Sequence, residues 1–380
     1  MKRLDTQLIH AGEPEPRVRG AVVLPIFQSS TYESGDAADY HDIRYLRLNN
    51  SPNHEVLHAK LATLEGGDAA VVTASGMAAI STAMLAVLRT GDHIIAQRCL
   101  YGGTHALVTG DLEPLGIETT FVDADDPSAW AAALRPTTRL FYCETLTNPT
   151  LELADLPGIA GFARQHGLVS MIDSTFASPV NFRPIAHGFD LVVHSATKYL
   201  NGHSDIVAGA VIGRAALIEK VRRKLDHLGA TLDPHACFLL QRGLKTLGVR
   251  VRQQNASALA LAGWLASHPA VEHVNYPGLP SHPRHARACE LLDGFGGMLS
   301  FELHGGLDAA TALLGSLRIG IDAPSLGGPE TLLSLPARSS HAGLEPSLRR
   351  ALGIGDGLVR LSVGLEDVAD LRDDLAQALG

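Results

Sequence analysis

Ser195, Thr197 and Lys198 stand together at the exit of the apolar run Leu191-Val192-Val193, just before a turn bearing Gly202. A buried strand there would deliver two hydroxyls and one amine to the same place. Hydroxyls suit a phosphate and an amine suits a carbonyl, and pyridoxal phosphate has both groups. The other lysines do not share this setting. Lys220 and Lys224 lie four apart in an arginine-rich helical stretch and read as a solvated face, Lys60 sits in a helical stretch near Glu65, Lys2 is terminal, and Lys245 follows no strand. Only Lys198 follows an apolar strand, where partial desolvation would lower its pKa and favour the free amine that a Schiff base needs.

Four further sites fit around that lysine. Leu168-Val169-Ser170-Met171-Ile172 reads as a strand running into Asp173, an acid placed to keep a pyridine nitrogen protonated so that the ring can absorb a carbanion's electrons. Val71-Val72-Thr73-Ala74-Ser75-Gly76-Met77 reads as strand, small-residue turn and helix start, where free amides bind phosphate and Gly76 permits close approach. Tyr101, before Gly102-Gly103, could stack on a flat ring. Asn148, before Pro149, could donate to a phenolic oxygen or simply start a turn. In an open α/β sheet these strand ends gather at the carboxyl edge, where ligands bind.

In this order, these motifs resemble the Cys/Met-metabolism (trans-sulfuration) family of pyridoxal-phosphate enzymes, which includes cystathionine γ-synthase, cystathionine γ-lyase, methionine γ-lyase and the homoserine sulfhydrylases. The likeness spans nearly the whole chain. It extends from Ile9-His10-Ala11-Gly12 and Pro25-Ile26-Phe27-Gln28, through Tyr276-Pro277-Gly278-Leu279, to Val359-Arg360-Leu361-Ser362.

The resemblance implies a type I pyridoxal-phosphate fold of the aspartate-aminotransferase kind. It has a large, mostly parallel sheet domain and a smaller C-terminal α+β domain. It also implies γ-elimination or γ-replacement on sulfur-containing or O-acylhomoserine amino acids. By it, Lys198 holds the cofactor covalently and moves protons, and Asp173 pairs with the pyridinium. Ser75, Gly76, Met77, Ser195 and Thr197 hold the phosphate, while Asn148 touches the ring hydroxyl. Tyr101 stacks on the ring, meets the substrate and can exchange a proton with it. Ser325 and Arg360 line the substrate-carboxylate end, where a planar guanidinium fork suits the group. Tyr45 and Arg47 reach the phosphate of a neighbouring subunit, which implies a homodimer at least and a homotetramer by family habit.

The chain departs from the family pattern in several places. Arg47 is followed by Leu48-Asn49-Asn50-Ser51-Pro52, one residue longer than the usual Arg-x-x-Asn-Pro, and Ser174 replaces a common Asn. Pro324 stands where many cystathionine-cleaving members have Glu, Gly103 where methionine γ-lyases have Cys, and Leu326 where bacterial β-lyases have Trp. Leu326 favours attack at the γ-carbon, so the resemblance is read as the cystathionine γ-synthase/γ-lyase type, with methionine γ-lyase and O-acylhomoserine sulfhydrylase as alternatives.

Composition agrees. A chain of 380 residues can bury a large core, and its net charge of −9 argues against nucleic acid or an anionic membrane as partner. Cys99, Cys143, Cys237 and Cys289 are scattered and read as reduced thiols of the cytoplasm. The N-terminal residues lack the apolar core of a signal peptide, and the apolar stretch Ala69 to Leu88 is broken by polar residues, so no membrane span is expected. The pattern divides into an arm over residues 1–53, an α/β cofactor-binding domain over 54–245 and a C-terminal domain over 246–380, with helical spacing from Leu239 to Leu265.

Rival readings come from other classes. His54-Glu55-Val56-Leu57-His58 matches the zinc-peptidase pattern His-Glu-x-x-His, although Leu61 and Glu65 occupy the positions where an extended motif would have Gly and a third His. A non-catalytic protein that only keeps the cofactor would have no use for a substrate clamp at Arg360.

Overall fold

The structure is a computed structural model that describes residues 2–343 and 345–380, with the side chains of all of these except His41 and Leu348. Seven strands form the larger sheet: β1 (Ala69–Thr73), β2 (His93–Gln97), β3 (Glu118–Val122), β4 (Thr138–Glu144), β5 (Val169–Asp173), β6 (Leu191–His194) and β7 (Gly209–Gly213). Their order is β1-β7-β6-β5-β4-β2-β3, and all pairings are parallel except those of β7 with β1 and β6. β5 and β6 read as apolar runs because both faces of the sheet are covered. In β4, Phe141 and Cys143 enter one core while Leu140 and Tyr142 enter the other.

Helix α1 is Leu4–His10, α2 is Pro52–Glu65 and α3 is Gly76–Val87. α2 covers the first face through Leu57, Leu61 and Leu64, and α3 covers the second through Ala79, Ile80, Ala83 and Met84. The parallel strands β2, β4, β5 and β6 all open toward one edge, so the segments after Gln97, Glu144, Asp173 and His194 meet there.

A second sheet contains β8 (Val271–Asn275), β9 (Met298–Leu303), β10 (Ile321–Asp322), β11 (Leu332–Ser334) and β12 (Leu358–Ser362) in the order β10-β11-β12-β9-β8. It is antiparallel except at β10–β11 and packs its own core with the helices Leu247–Leu265 and Val368–Leu379. Arg360 sits on its central strand, β12.

Two local readings need correction. The helical spacing from Leu239 to Leu265 belongs to two helices, Pro234–Leu244 and Leu247–Leu265, which part at Lys245 and Thr246. The first ends against the turn after Lys198, so closely that a Cβ on Gly243 would lie 2.2 Å from the Asn201 carbonyl oxygen. Asp173 is the last residue of β5 and not the first after it, so its side chain is fixed by strand pairing.

Among the described residues before α2, α1 is the one α-helix, and short turns of 3₁₀-helix follow it. Lys60 of α2 anchors the arm. Its buried amine donates to the carbonyls of Leu8 at 3.0 Å and Ile9 at 3.3 Å and lies 3.8 Å from Glu13. Burial lowers its pKa to about 8 despite Glu13. No helix among the described residues is long and apolar enough to cross a membrane.

Candidate active site

At the carboxyl edge of the large sheet lies a cavity of about 640 Å³. Its walls include Ser75, Gly76, Met77, Tyr101, Asn148, Asp173, Ser195, Thr197, Lys198, Ser325 and Arg360. The cavity thus gathers the candidate residues taken from the sequence except Tyr45 and Arg47.

Lys198 reaches it from a tight turn after β6. The amide of Lys198 donates to Ser195 O at 3.0 Å, and the amide of Gly202 donates to Lys198 O at 2.7 Å. The Thr197 hydroxyl holds the next chain segment by donating to Ala208 O and accepting from its amide. Behind the turn lies Arg250, only 5% exposed, whose guanidinium donates to Tyr199 O at 3.0 Å, Asn201 O at 3.4 Å and Gly243 O at 2.9 Å. Burial pulls its pKa down to about 10. A buried cation satisfied by neutral groups, here three carbonyls and the Thr246 hydroxyl, is costly, and it crosslinks the lysine turn to the helix behind it.

The Lys198 amine donates to Ser325 Oγ at 2.7 Å. Burial, then the nearby Arg360, lowers its pKa to about 8. Arg360 is 8% exposed and donates to Asn148 Oδ1 and to the Ser325 carbonyl, each at 3.2 Å. Burial lowers its pKa too, and among the described residues no carboxylate forms an ion pair with it. A desolvated guanidinium without a counter-ion is a receptor for a carboxylate. Ser325, bonded to both cations, has a left-handed φ of 91°, an uncommon conformation for a side chain-bearing residue.

The opposite end of the cavity is acidic. Asp173 Oδ1 accepts from the Thr175 amide at 2.9 Å and its hydroxyl at 2.5 Å. Glu144 stands beside it, since β4 and β5 pair Glu144 with Asp173 in register. Burial raises the pKa of Asp173 against the Thr175 bonds, and burial plus Asp173 pushes Glu144 well above the usual carboxylate range. Glu144 Oε1 also accepts the Tyr101 amide at 2.6 Å, which fixes the loop bearing that ring at the mouth, where Tyr101 is 44% exposed.

The start of α3 forms a third part of the wall. Ser75 Oγ caps the helix by accepting the Ala78 amide at 3.0 Å. A Cβ on Gly76 would come within 2.7 Å of Ser195 Cβ, so only glycine lets the helix start and the Ser195 turn close on one another.

Tyr45 and Arg47 lie away from this cavity in their own chain. Arg47 donates to Asp226 O at 2.7 Å and to the Tyr40 hydroxyl, and stacks over Tyr45 with 5.5 Å to the ring centre. Two residues of the His-Glu-x-x-His helix are engaged by neighbouring groups. His54 uses both nitrogens, toward Ser51 Oγ and Leu232 O at 2.8 Å each, and Glu55 turns out to Arg44 at 2.6 Å. Among the described residues no group of three or more His, Cys, Asp or Glu gathers to hold a metal.

Sequence reasoning missed Glu144, Thr175, Phe176, Val207, Ser339 and Ser340 on the walls. Glu144 ends a strand as Asp173 does, but only the sheet order places the two strands side by side. The others sit on turns whose approach depends on both sheets.

The chain matches the Cys/Met metabolism PLP-dependent enzyme family over residues 5–380. It belongs to that family. It is 41% identical to an L-methionine gamma-lyase of Pseudomonas putida over 98% of this chain and 96% of that protein. It is 42% identical to a cystathionine gamma-lyase of Bacillus subtilis over 98% of each. A crystal structure of cystathionine gamma-lyase from Lactobacillus plantarum, complexed with L-serine, superposes with a TM-score of 0.94 at 40% identity, covering 99% of this chain and 98% of that one.

Its cofactor is pyridoxal phosphate and its substrate a small amino acid. The residues present fit that cofactor: a desolvated amine for the aldehyde, a buried carboxylate for the ring nitrogen, and hydroxyls with a helix start for the phosphate.

The Lys198 amine is protonated below about pH 8 and free above it, whereas an ordinary lysine changes over near 10.5. Capture of an aldehyde needs the free amine. The rate at which apoprotein takes up pyridoxal phosphate, followed by visible absorbance, should therefore climb roughly tenfold per pH unit below that value and level off above it. A climb continuing to about pH 10 would show an unperturbed lysine.

Proposed function

We propose that the protein cleaves the C–S bond at the γ-carbon of sulfur-containing amino acids, releasing a thiol, ammonia and a 2-oxo acid with consumption of one water, or passes the four-carbon unit to an incoming thiol. The observation that carries this reading is the placement of Lys198 and Arg360 on either side of Ser325 in one cavity.

Asp173, Asn148, Ser75, Gly76, Met77, Ser195 and Thr197 hold pyridoxal phosphate, with Tyr101 against its ring. The bound cofactor supplies an electron sink for charge that builds at the α- and β-carbons. Arg360 takes the substrate carboxylate in a bidentate grip, and Ser325 meets the same end. The Lys198 amine removes the α-proton, would give it up to the bound cofactor, and then removes one from the β-carbon, with Ser325 Oγ holding the amine between transfers. Tyr101 gives a proton to the departing sulfur.

Pro324, Leu326, Phe176 and Val207 give the remaining wall an apolar character that suits an uncharged thioether chain. Gly103 lies under Tyr101, where a Cβ would come within 2.6 Å of the ring, so a cysteine there would displace the tyrosine. We read the arm 1–53 as serving a second copy, in a homodimer or a tetramer of such dimers, and the scattered free thiols as suited to the cytoplasm. The cofactor-binding unit is assigned to residues 54–245 and the C-terminal unit to 246–380.

The deciding experiment offers the purified enzyme methionine, homocysteine, cystathionine and O-acylhomoserines, with and without added thiol, and identifies products by mass. A 2-oxo acid or thioether arising from the γ-carbon is expected. Products of β-cleavage alone would overturn the reading.

Arg360→Lys should lower kcat/KM by roughly 10- to 150-fold, because a point charge loses one of two charge-assisted bonds worth about 1.5–3 kcal/mol each. The cofactor's visible absorbance should remain, and its loss instead would place Arg360 at the cofactor.

Arg47 lines no part of its own chain's cavity, so it should serve a neighbour's. Mixing inactive Lys198→Ala with inactive Arg47→Ala subunits should restore up to about a quarter of parental activity, since half the dimers would be hybrids with one intact site. No recovery after verified subunit exchange would mean each chain builds its site alone.

A further inference from the structure

At the opposite edge of the large sheet, three separated segments bring cations to one cleft of about 420 Å³. Arg89 follows α3, Arg139 is the second residue of β4, and Lys220, Arg223, Lys224 and His227 form one stripe of the helix Ala215–Leu228. The sequence marks Lys220 and Lys224 as a solvated face, and the fold adds Arg89 and Arg139 to them. Val87, Val169 and Leu217 give the cleft an apolar floor, and no carboxylate lines it.

This accumulation runs against the rest of the molecule. The chain has 40 acidic residues against 31 Lys and Arg. Yet the only ion pairs seen at the cleft are Arg139 with Asp92 at 3.5 Å and Arg223 with Glu219 at 2.7 Å, among the described residues. Arg89, Lys220 and Lys224 have none. Like charges four apart on a helix destabilise it, so Lys220 and Lys224 cost stability, and the Arg223–Glu219 pair offsets only part of the stripe's repulsion. Compensation of helix dipoles would account for Arg89 and His227 at helix ends, but not for Lys220 in mid-helix or Arg139 on a strand.

We propose that this cleft binds an organic polyphosphate, of the nucleoside triphosphate class. The phosphates lie among the arginine forks and lysines, and the ring rests on the apolar floor. Guanidinium groups match phosphate oxygens in pairs, and the volume falls in the range of small-molecule sites. The cleft is remote from the catalytic cavity: Arg139 and Glu144 stand at opposite ends of β4, about 17 Å apart at 3.3 Å per residue.

The test uses the cofactor-loaded enzyme and fluorescence of trinitrophenyl-ATP at fixed, low ionic strength, with ATP and sodium tripolyphosphate as competitors. Saturable binding of one probe per chain is expected, with ATP displacing it at a concentration at least tenfold lower than tripolyphosphate does. Lys220→Glu with Lys224→Glu should weaken binding at least tenfold, and Arg89→Ala several-fold, while cofactor absorbance and basal activity stay at parental values. A double variant of the same net charge elsewhere, Lys2→Glu with Arg318→Glu, should bind as the parent does. Equal loss in that control, or no loss in the cleft variants, overturns the site. Tripolyphosphate competing as well as ATP overturns the organic ligand, as does binding to duplex DNA or anionic vesicles with none to nucleotide.

Discussion

Lys198 and Arg360 face one cavity across Ser325, and neither is ion-paired among the described residues. At the other end of the same cavity Asp173 and Glu144 stand side by side, each pushed toward its neutral form by burial. Cationic side chains and carboxyl groups sharing one cavity would pair with one another if the walls allowed it. The walls therefore have to be rigid, and much of the fold serves that separation. A ligand with an anionic end and a protonatable ring nitrogen can then satisfy both ends at once, which no rearrangement of the protein's own side chains achieves.

The two ends are fixed by different sheets. Asp173 and Glu144 are terminal residues of neighbouring parallel strands, so backbone pairing sets their spacing and side-chain rotation has little say. Arg360 comes from the centre of the second sheet, paired with Ser300 on one side and Ser334 on the other. Lys198 alone lies on a turn, and there the structure spends a second buried guanidinium, that of Arg250, on the carbonyls behind it. Ser325 joins the two sheets' contributions, and its strained φ is retained because both cations bond to it.

Lys198, Asp173 and Gly76 were legible in the sequence because each follows directly from a strand end or a helix start, where local pattern predicts position. Glu144 was not, although it ends an equally clear strand. Its meaning depends on which strand lies beside it, and sheet order is a long-range property. The same limit applies to Arg250, which reads as one more arginine of a helical stretch until the turn after Lys198 is seen against it. The His54 and His58 pattern failed in the opposite direction. Spacing places two imidazoles on one helix, but Ser51 and Leu232 had already engaged the first of them. Tyr45 and Arg47 could be read only by resemblance, because nothing in the local pattern around them points to a ligand.

Desolvation alone does not make a reactive amine, as the comparison of Lys60 with Lys198 shows. Burial lowers both to about 8. Lys60 is sealed, its amine given to two main-chain carbonyls with Glu13 nearby, and nothing can approach it. Lys198 has one hydroxyl partner and an open cavity in front of it. A hydroxyl can release the amine and take it back with little loss, because it both donates and accepts. The carbonyls around Lys60 can only accept, so a deprotonated amine there would still be held. The difference between an anchoring amine and an accessible one in this chain therefore lies in the partner and the empty space, and not in the pKa.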